Sequence, residues 1–174
     1  MNMVRFCAMA TNQRGQVRMT DEEVAAFVEA SRTATMATIG PSGLPHLVAM
    51  WFAVLDGTIW FETKAKSQKV QNLRRDPRIT VLLEDGLTYD TLRGVSLEGR
   101  ATIIDDPELI WPVGVNVWER YNGPYTDEAK PIVEMMLHKR VVVRVDVERT
   151  RSWDHRKLGL PSMPVGGTTA VPPL

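Results

Sequence analysis

The apolar positions of this chain alternate with polar ones over most of its length, and the alternation gives way to a helical period in a few short places. TDEEVAAFVEAS opens with Thr20 followed by Glu23, a capping-box pair, and sets Val24, Phe27 and Val28 on one face, which predicts a short amphipathic helix. TATMATIG reads as a strand and GPSG as a turn. LPHLVAMWFAVL reads as one long strand whose mixed pattern implies burial on much of both faces. Asp56-Gly57 supplies a hairpin turn, so TIWFET returns antiparallel to its predecessor. In the next segment Val70 and Leu73 are spaced to seat a short helix, SQKVQNLRR, on a core.

RITVLLED is another strand, and LRGVSLEGRATIID is a long one whose glycines mark bulges or bends. Helical spacing resumes between residues 106 and 139. Asp105 or Asp106 before Pro107, and Thr126 before Asp127-Glu128, act as start signals, while Pro112 and Pro131 blur the limits. RVVVRVDVE alternates again as the last strand, and KLGLPSMPVGGTTAVPPL is a Pro/Gly-rich irregular tail. The pattern therefore divides into a leader over 1–19, a mainly β domain over 20–157 with a helical insertion at 105–139, and a tail over 158–174. About six strands in hairpin order, with helices as connectors and lids, predict an antiparallel barrel or strongly curled sheet.

Composition narrows the function classes. A chain of 174 residues fits one domain, since a core of this size buries roughly two-thirds of the unfolded surface. Cys7 is the only cysteine, which excludes an internal disulfide framework and points to a reducing, cytoplasmic compartment. FCAMA is too short for a signal-peptide core, and no apolar run reaches membrane-spanning length. His46, His138 and His155 lack metal-site spacing, and no nucleophile elbow or phosphate-binding glycine loop occurs. With 21 Lys plus Arg against 21 Asp plus Glu, the chain lacks the basic surface of a nucleic-acid binder.

Against that neutrality, residues 64–78 hold six basic side chains and one acid, Asp76. Ser67 is the expected N-cap of SQKVQNLRR, and Asp76-Pro77 its stop. Arg74 and Arg75 fall in the last turn, where cations complement the helix dipole and read as solvated capping charges. Lys64, Lys66 and Lys69 fall at the opposite end, where free amides already make the potential positive. An anion, such as a phosphate, resolves that repulsion; the plain alternative is lysines extending into water.

The run LPHLVAMWFAVLDGTIWFETKAKSQKVQNLRRDPRITVLLE resembles the cofactor-binding half of the pyridoxamine 5'-phosphate oxidase-like split β-barrel family. It is especially similar to the actinobacterial branch that uses the deazaflavin coenzyme F-420. The resemblance covers residues 33–104 and, more loosely, RVVVRVDVERTRSW; most of 105–138 matches nothing recognisable. It implies a homodimer of the FMN-binding split-barrel type, with the cofactor at the interface and its phosphate near the turn after the third strand. By that resemblance Thr63, Lys64, Ser67 and Lys69 contact the phosphate, and Val48, Ala49, Met50 and Trp51 flank the ring. It implies a hydride-transferring reductase acting on a small or planar unsaturated substrate, with no side chain required as a catalytic acid or base.

FMN chemistry in the same fold, as an oxidase or flavin reductase, is the first rival; a flavin, haem or tetrapyrrole carrier without turnover is the second. RTRSWDHRKLG departs from the arginine-histidine motif of pyridoxamine phosphate oxidation and argues against that substrate. Glu62 stands where flavin-binding members carry an aromatic, and a carboxylate beside a phosphate disfavours FMN. His46 and Trp153 are secondary candidates for substrate contact, Trp153 by reaching the cofactor site of a second copy. Trp111, Trp118, Tyr121 and Tyr125 read first as core of the insertion and second as a pocket wall.

Overall fold

The computed structural model describes residues 13–165. Two helices lead in, α1 (Gln13–Gln16) and α2 (Asp21–Ala30). Strands β1 (Ala34–Ile39), β2 (Pro45–Met50), β3 (Ala53–Leu55) and β4 (Thr58–Lys64) follow, then α3 (Gln68–Arg75), β5 (Arg78–Asp85) and β6 (Arg93–Ile104). Next come α4 (Pro107–Asn122), a short 3-10 turn at Asp127–Ala129 and α5 (Lys130–Leu137), and β7 (Arg140–Asp154) closes the sheet. Cys7 lies outside the described residues. No helix among them is long and apolar enough to cross a membrane.

The expected signals act locally. Thr20 and Glu23 form both halves of the capping box that starts α2. Asp106 accepts from the Glu108 amide at the start of α4. Asp56 and Gly57 both take positive φ, +50° and +71°, as the tight β3–β4 hairpin demands.

All strands belong to one antiparallel sheet in the order β2-β1-β5-β6-β7-β4-β3. The run expected as a single long strand is broken at Trp51-Phe52, giving seven strands rather than six, and its two pieces occupy opposite edges of the sheet. Three Cα–Cα steps from Met50 to Ala53 span at most about 11 Å. The edges must therefore come together, and the sheet curls into a nearly closed barrel. Because β2 is an edge, it alternates half-buried and exposed residues instead of being covered on both faces.

Inside the curl sits the main core: Met36, Phe52, Phe61, Val81, Leu83, Val95, Val143 and Val145, closed off by Phe27 and Val28 of α2. Burying each of the two fully covered phenylalanines, Phe52 and Phe61, contributes roughly 1.5–3 kcal/mol. A second core lies on the other face of the sheet, where Ile110, Val113 and Val117 of α4 cover Ala53 and Val142. Arg120 pins α4 to α2 through Glu29, at 2.7 Å, and lies over the Phe52 ring. β7 is thus buried on both faces near its start, and a bulge between Glu98 and Gly99 of β6 shifts its register farther along.

Candidate functional site: the amino end of helix α3

β4 ends at Lys64, and a tight turn closed by the Ser67 amide donating to Lys64 O, 2.9 Å, delivers the chain into α3. Ser67 takes the extended N-cap conformation, yet its hydroxyl caps nothing. It lies 3.3 Å from Thr63 Oγ1, which in turn accepts a 3.1 Å hydrogen bond from Lys69 Nζ. The first intrahelical bond runs from Gln71 N to Ser67 O, so the amides of Gln68, Lys69 and Val70 have no acceptor within the helix.

Thr63 is buried and Lys69 half-buried, and no carboxylate lies within ion-pair reach of Lys69 among the described residues. Burial pushes the Lys69 ammonium below the usual lysine pKa, and the nearby Arg140 guanidinium lowers it further. A cation, two hydroxyls and the positive end of a helix dipole converge here without a negative charge. That donor set fits a phosphate, which supplies charge and acceptor oxygens together.

Arg140 is the residue that sequence reasoning missed. It opens β7 directly opposite Lys64 in the β4–β7 register, and its Nη1 lies 3.8 Å from Glu62 Oε1. Strand alternation turns Glu62 to the face of β4 opposite Thr63. There it pairs across with Val142, a member of the second core. Glu62 is only 8% exposed and its Oε2 has no partner among the described residues. Burial pushes its carboxyl pKa up, and Arg140 pulls against that rise. Glu62 thus projects from the face of β4 opposite Thr63, with its carboxylate turned toward Arg140. The signal for Arg140 was Glu62 itself, since a buried acid calls for a nearby cation.

The remaining candidates are dispersed. Lys64 is exposed and outside the Thr63–Ser67–Lys69 cluster. Val48 and Met50 turn inward and pack on the main core, while Ala49 and Trp51 face outward on the β2 edge. Trp51 is 53% exposed and stacks at 4.2 Å on Tyr121, whose hydroxyl donates to Arg32 O and accepts from the Phe52 amide. α3 is what connects this edge to the cradle. Its buried Asn72 donates to Thr38 Oγ1 at 3.0 Å, and Thr38 lies directly across β1–β2 from His46.

His46 is half-buried, with a Nδ1 that finds no partner among the described residues. Trp153 lies near the far end of β7, away from the cradle within the same chain. Trp111 packs edge-on against Tyr125 within the insertion. At the other end of α3, Arg75 is not merely solvated: its guanidinium donates to Ile39 O.

Comparison with known proteins gives the family of this chain. Residues 20–154 match the family described as pyridoxamine 5'-phosphate oxidase. A crystal structure of a conserved hypothetical protein from Mycobacterium tuberculosis is 67% identical, with a TM-score of 0.88, over 92% of this chain and all of that one. An F-420-dependent biliverdin reductase of Mycobacterium tuberculosis is 26% identical over 70% of this chain and 86% of its own length. A structure titled F-420 reductase is 25% identical, with a TM-score of 0.57, over 72% of this chain and 93% of that one. The match spans α2 through the end of β7 and includes the whole cradle, and by it the chain belongs to the pyridoxamine 5'-phosphate oxidase family.

Proposed function

We propose that this protein is a cytoplasmic reductase that holds coenzyme F-420 by its phosphate at the amino end of α3 and reduces a small or planar unsaturated organic molecule. The observation that carries the reading is Lys69: a half-buried ammonium held by Thr63, with no ion-pair partner among the described residues, at a helix terminus with free amides. When bound, the deazaflavin supplies the hydride chemistry. Lys69, Thr63, Ser67 and the first amides of α3 neutralise and orient the phosphate, with Arg140 adding positive potential from β7. Val48, Ala49, Met50 and Trp51 provide the strand and the outward indole against which a flat ring rests. The similarity to F-420-dependent relatives favours the deazaflavin over FMN.

The same reading makes the protein a homodimer. Leu44, Leu47 and Trp51 are 70%, 63% and 53% exposed along the β2 edge, an apolar row that a second copy covers. Leu47→Asp is expected to yield monomers by sedimentation velocity. The deciding experiment titrates apo-protein with F-420 and with FMN in parallel. Saturable F-420 binding that weakens strongly in Lys69→Ala, with the fold retained by circular dichroism, supports the assignment. Equal F-420 affinity in both proteins overturns it, and tighter FMN binding transfers the site to flavin chemistry.

A further inference from the structure

A second concentration of positive charge lies at the other end of β7. Arg149 and Arg151 project from one face of that strand, paired across β6 with Glu98 and Ser96. Arg14 and Arg18, from α1 and the segment after it, face them across a groove of about 810 Å³ that Ser96 and Trp153 also line. Among the described residues, no acidic side chain lines this groove. Glu98 beside it is shared, 4.0 Å from Arg149 and 3.2 Å from Arg151, while Arg14 and Arg18 have no ion-pair partner among the described residues.

Four guanidiniums against one shared carboxylate repel each other, in a chain whose net charge is zero. Trp153 gives the groove a flat wall. Its indole lies so close over Gly94 that a Cβ there would sit 2.3 Å from Cζ2, so the backbone beneath the ring is kept bare. Arg149 lies nine residues along β7 from Arg140, on the order of 25–30 Å at strand rise, so within one chain this groove is separate from the Lys69 cradle.

We propose that the groove is a binding site for a small organic polyanion. The ligand carries two or more carboxylates or phosphates, spaced to meet Arg149 and Arg151 on one side and Arg14 and Arg18 on the other, with a flat portion against Trp153. Arginine suits this task because its planar fork meets carboxylate and phosphate in two-point contacts and stacks on aromatic rings. A nucleic acid is the weaker fit, because among the described residues the groove offers one aromatic ring, and the chain is neutral. The inference stands independently of the cofactor assignment. Two sources share this chemistry, the substrate and the anionic groups of the cofactor, and the test separates them.

The probe is benzene-1,2,4,5-tetracarboxylate, titrated into the full chain at low ionic strength by calorimetry and by tryptophan fluorescence. Expected is one saturable site per chain, a fluorescence change lost in Trp153→Phe, and an affinity reduced about tenfold in the Arg149→Gln/Arg151→Gln double variant, the sum of two exposed charge contacts. Arg14→Gln/Arg18→Gln probes the opposite wall and keeps the test decisive should the strand variant fold poorly. Lys69→Ala is expected to bind the probe unchanged, so loss of the cradle and loss of the groove are read separately. Displacement of the probe by F-420 in the wild-type chain, where the cradle is intact, assigns the groove to the cofactor's anionic groups; simultaneous binding of both there assigns it to substrate. Absence of saturable binding, undiminished affinity in both double variants, or tighter binding of a short oligonucleotide than of the probe overturns the proposal.

Discussion

The two ends of α3 carry the same kind of charge and treat it in opposite ways. At the carboxyl end Arg75 donates to Ile39 O, and Arg78 grips Asp76 at 2.6 Å, holding that carboxyl at about 2 through direct hydrogen bonds. At the amino end Lys69 has only a neutral hydroxyl for company, and burial works against its charge. Arg75 and Arg78 are satisfied at the end where the helix dipole welcomes cations; Lys69 is half-buried without an ion-pair partner, among the described residues, at the end where the dipole opposes it. The difference separates a helix stop from a binding site, although residues 64–78 look uniformly basic as letters.

The sharpest test of that contrast compares Lys69→Ala with Arg75→Ala. Removing Lys69 should weaken F-420 or inorganic phosphate binding by about 1.5–3 kcal/mol, the scale of a hydrogen bond to a charged group. Arg75→Ala should leave binding within about 0.5 kcal/mol. Equal losses in calorimetric titration would erase the distinction between the ends. The same site gives a pH signature. Because the free Lys69 pKa lies below the ordinary lysine value, phosphate affinity should fall as pH rises through that lowered pKa. Lys69→Arg, which does not titrate there, should show a flatter alkaline limb.

Next in size is Asn72, the buried residue between the ends. It accepts from Gln68 Nε2 at 2.8 Å and donates to Thr38, so Asn72→Ala should cost about 1–3 kcal/mol in urea unfolding by orphaning Thr38 and emptying its site. Phosphate affinity should drop only as far as the amino end loses its seating on β1. A variant that keeps full stability would show that the helix is held by its apolar face, Val70 and Leu73, alone.

The smallest effect concerns Glu62, behind the cradle. Its folded pKa is raised by burial, so the folded state binds this proton more tightly than the unfolded chain does, whose carboxyl titrates near 4.5. The associated stability is fully present below that unfolded value and is lost as pH rises through the raised folded pKa. The melting-temperature difference, Glu62→Gln minus wild type, should therefore be more positive at pH 7 than at pH 4. A difference independent of pH would mean that Arg140 fully compensates the burial.

Much of the fold was legible because its signals are local. Thr20 and Glu23, the Asp56-Gly57 turn and the stop at Asp76-Pro77 each act within a few residues, and so does the crowding of lysines at the start of α3. What the letters did not reveal depends on pairings between distant segments. Arg140 comes near enough to act on Lys69 only because β7 pairs with β4, and the face that Glu62 takes follows from the same pairing. The groove needs α1, β6 and β7 together, so its arginines look unremarkable one at a time. The break at Trp51-Phe52 was hidden because an apolar run reads the same whether it continues one strand or hands the chain from one edge of a sheet to the other.

That two-residue link has a mechanical consequence. It works as a clasp on a hoop: the girth of the barrel is fixed at this seam by covalent chain length, where no strand-to-strand ladder closes it. Trp51 on the outside and Phe52 on the inside ride on the clasp, so any widening of the hoop would tilt the exposed indole and shift the core plug in the same movement.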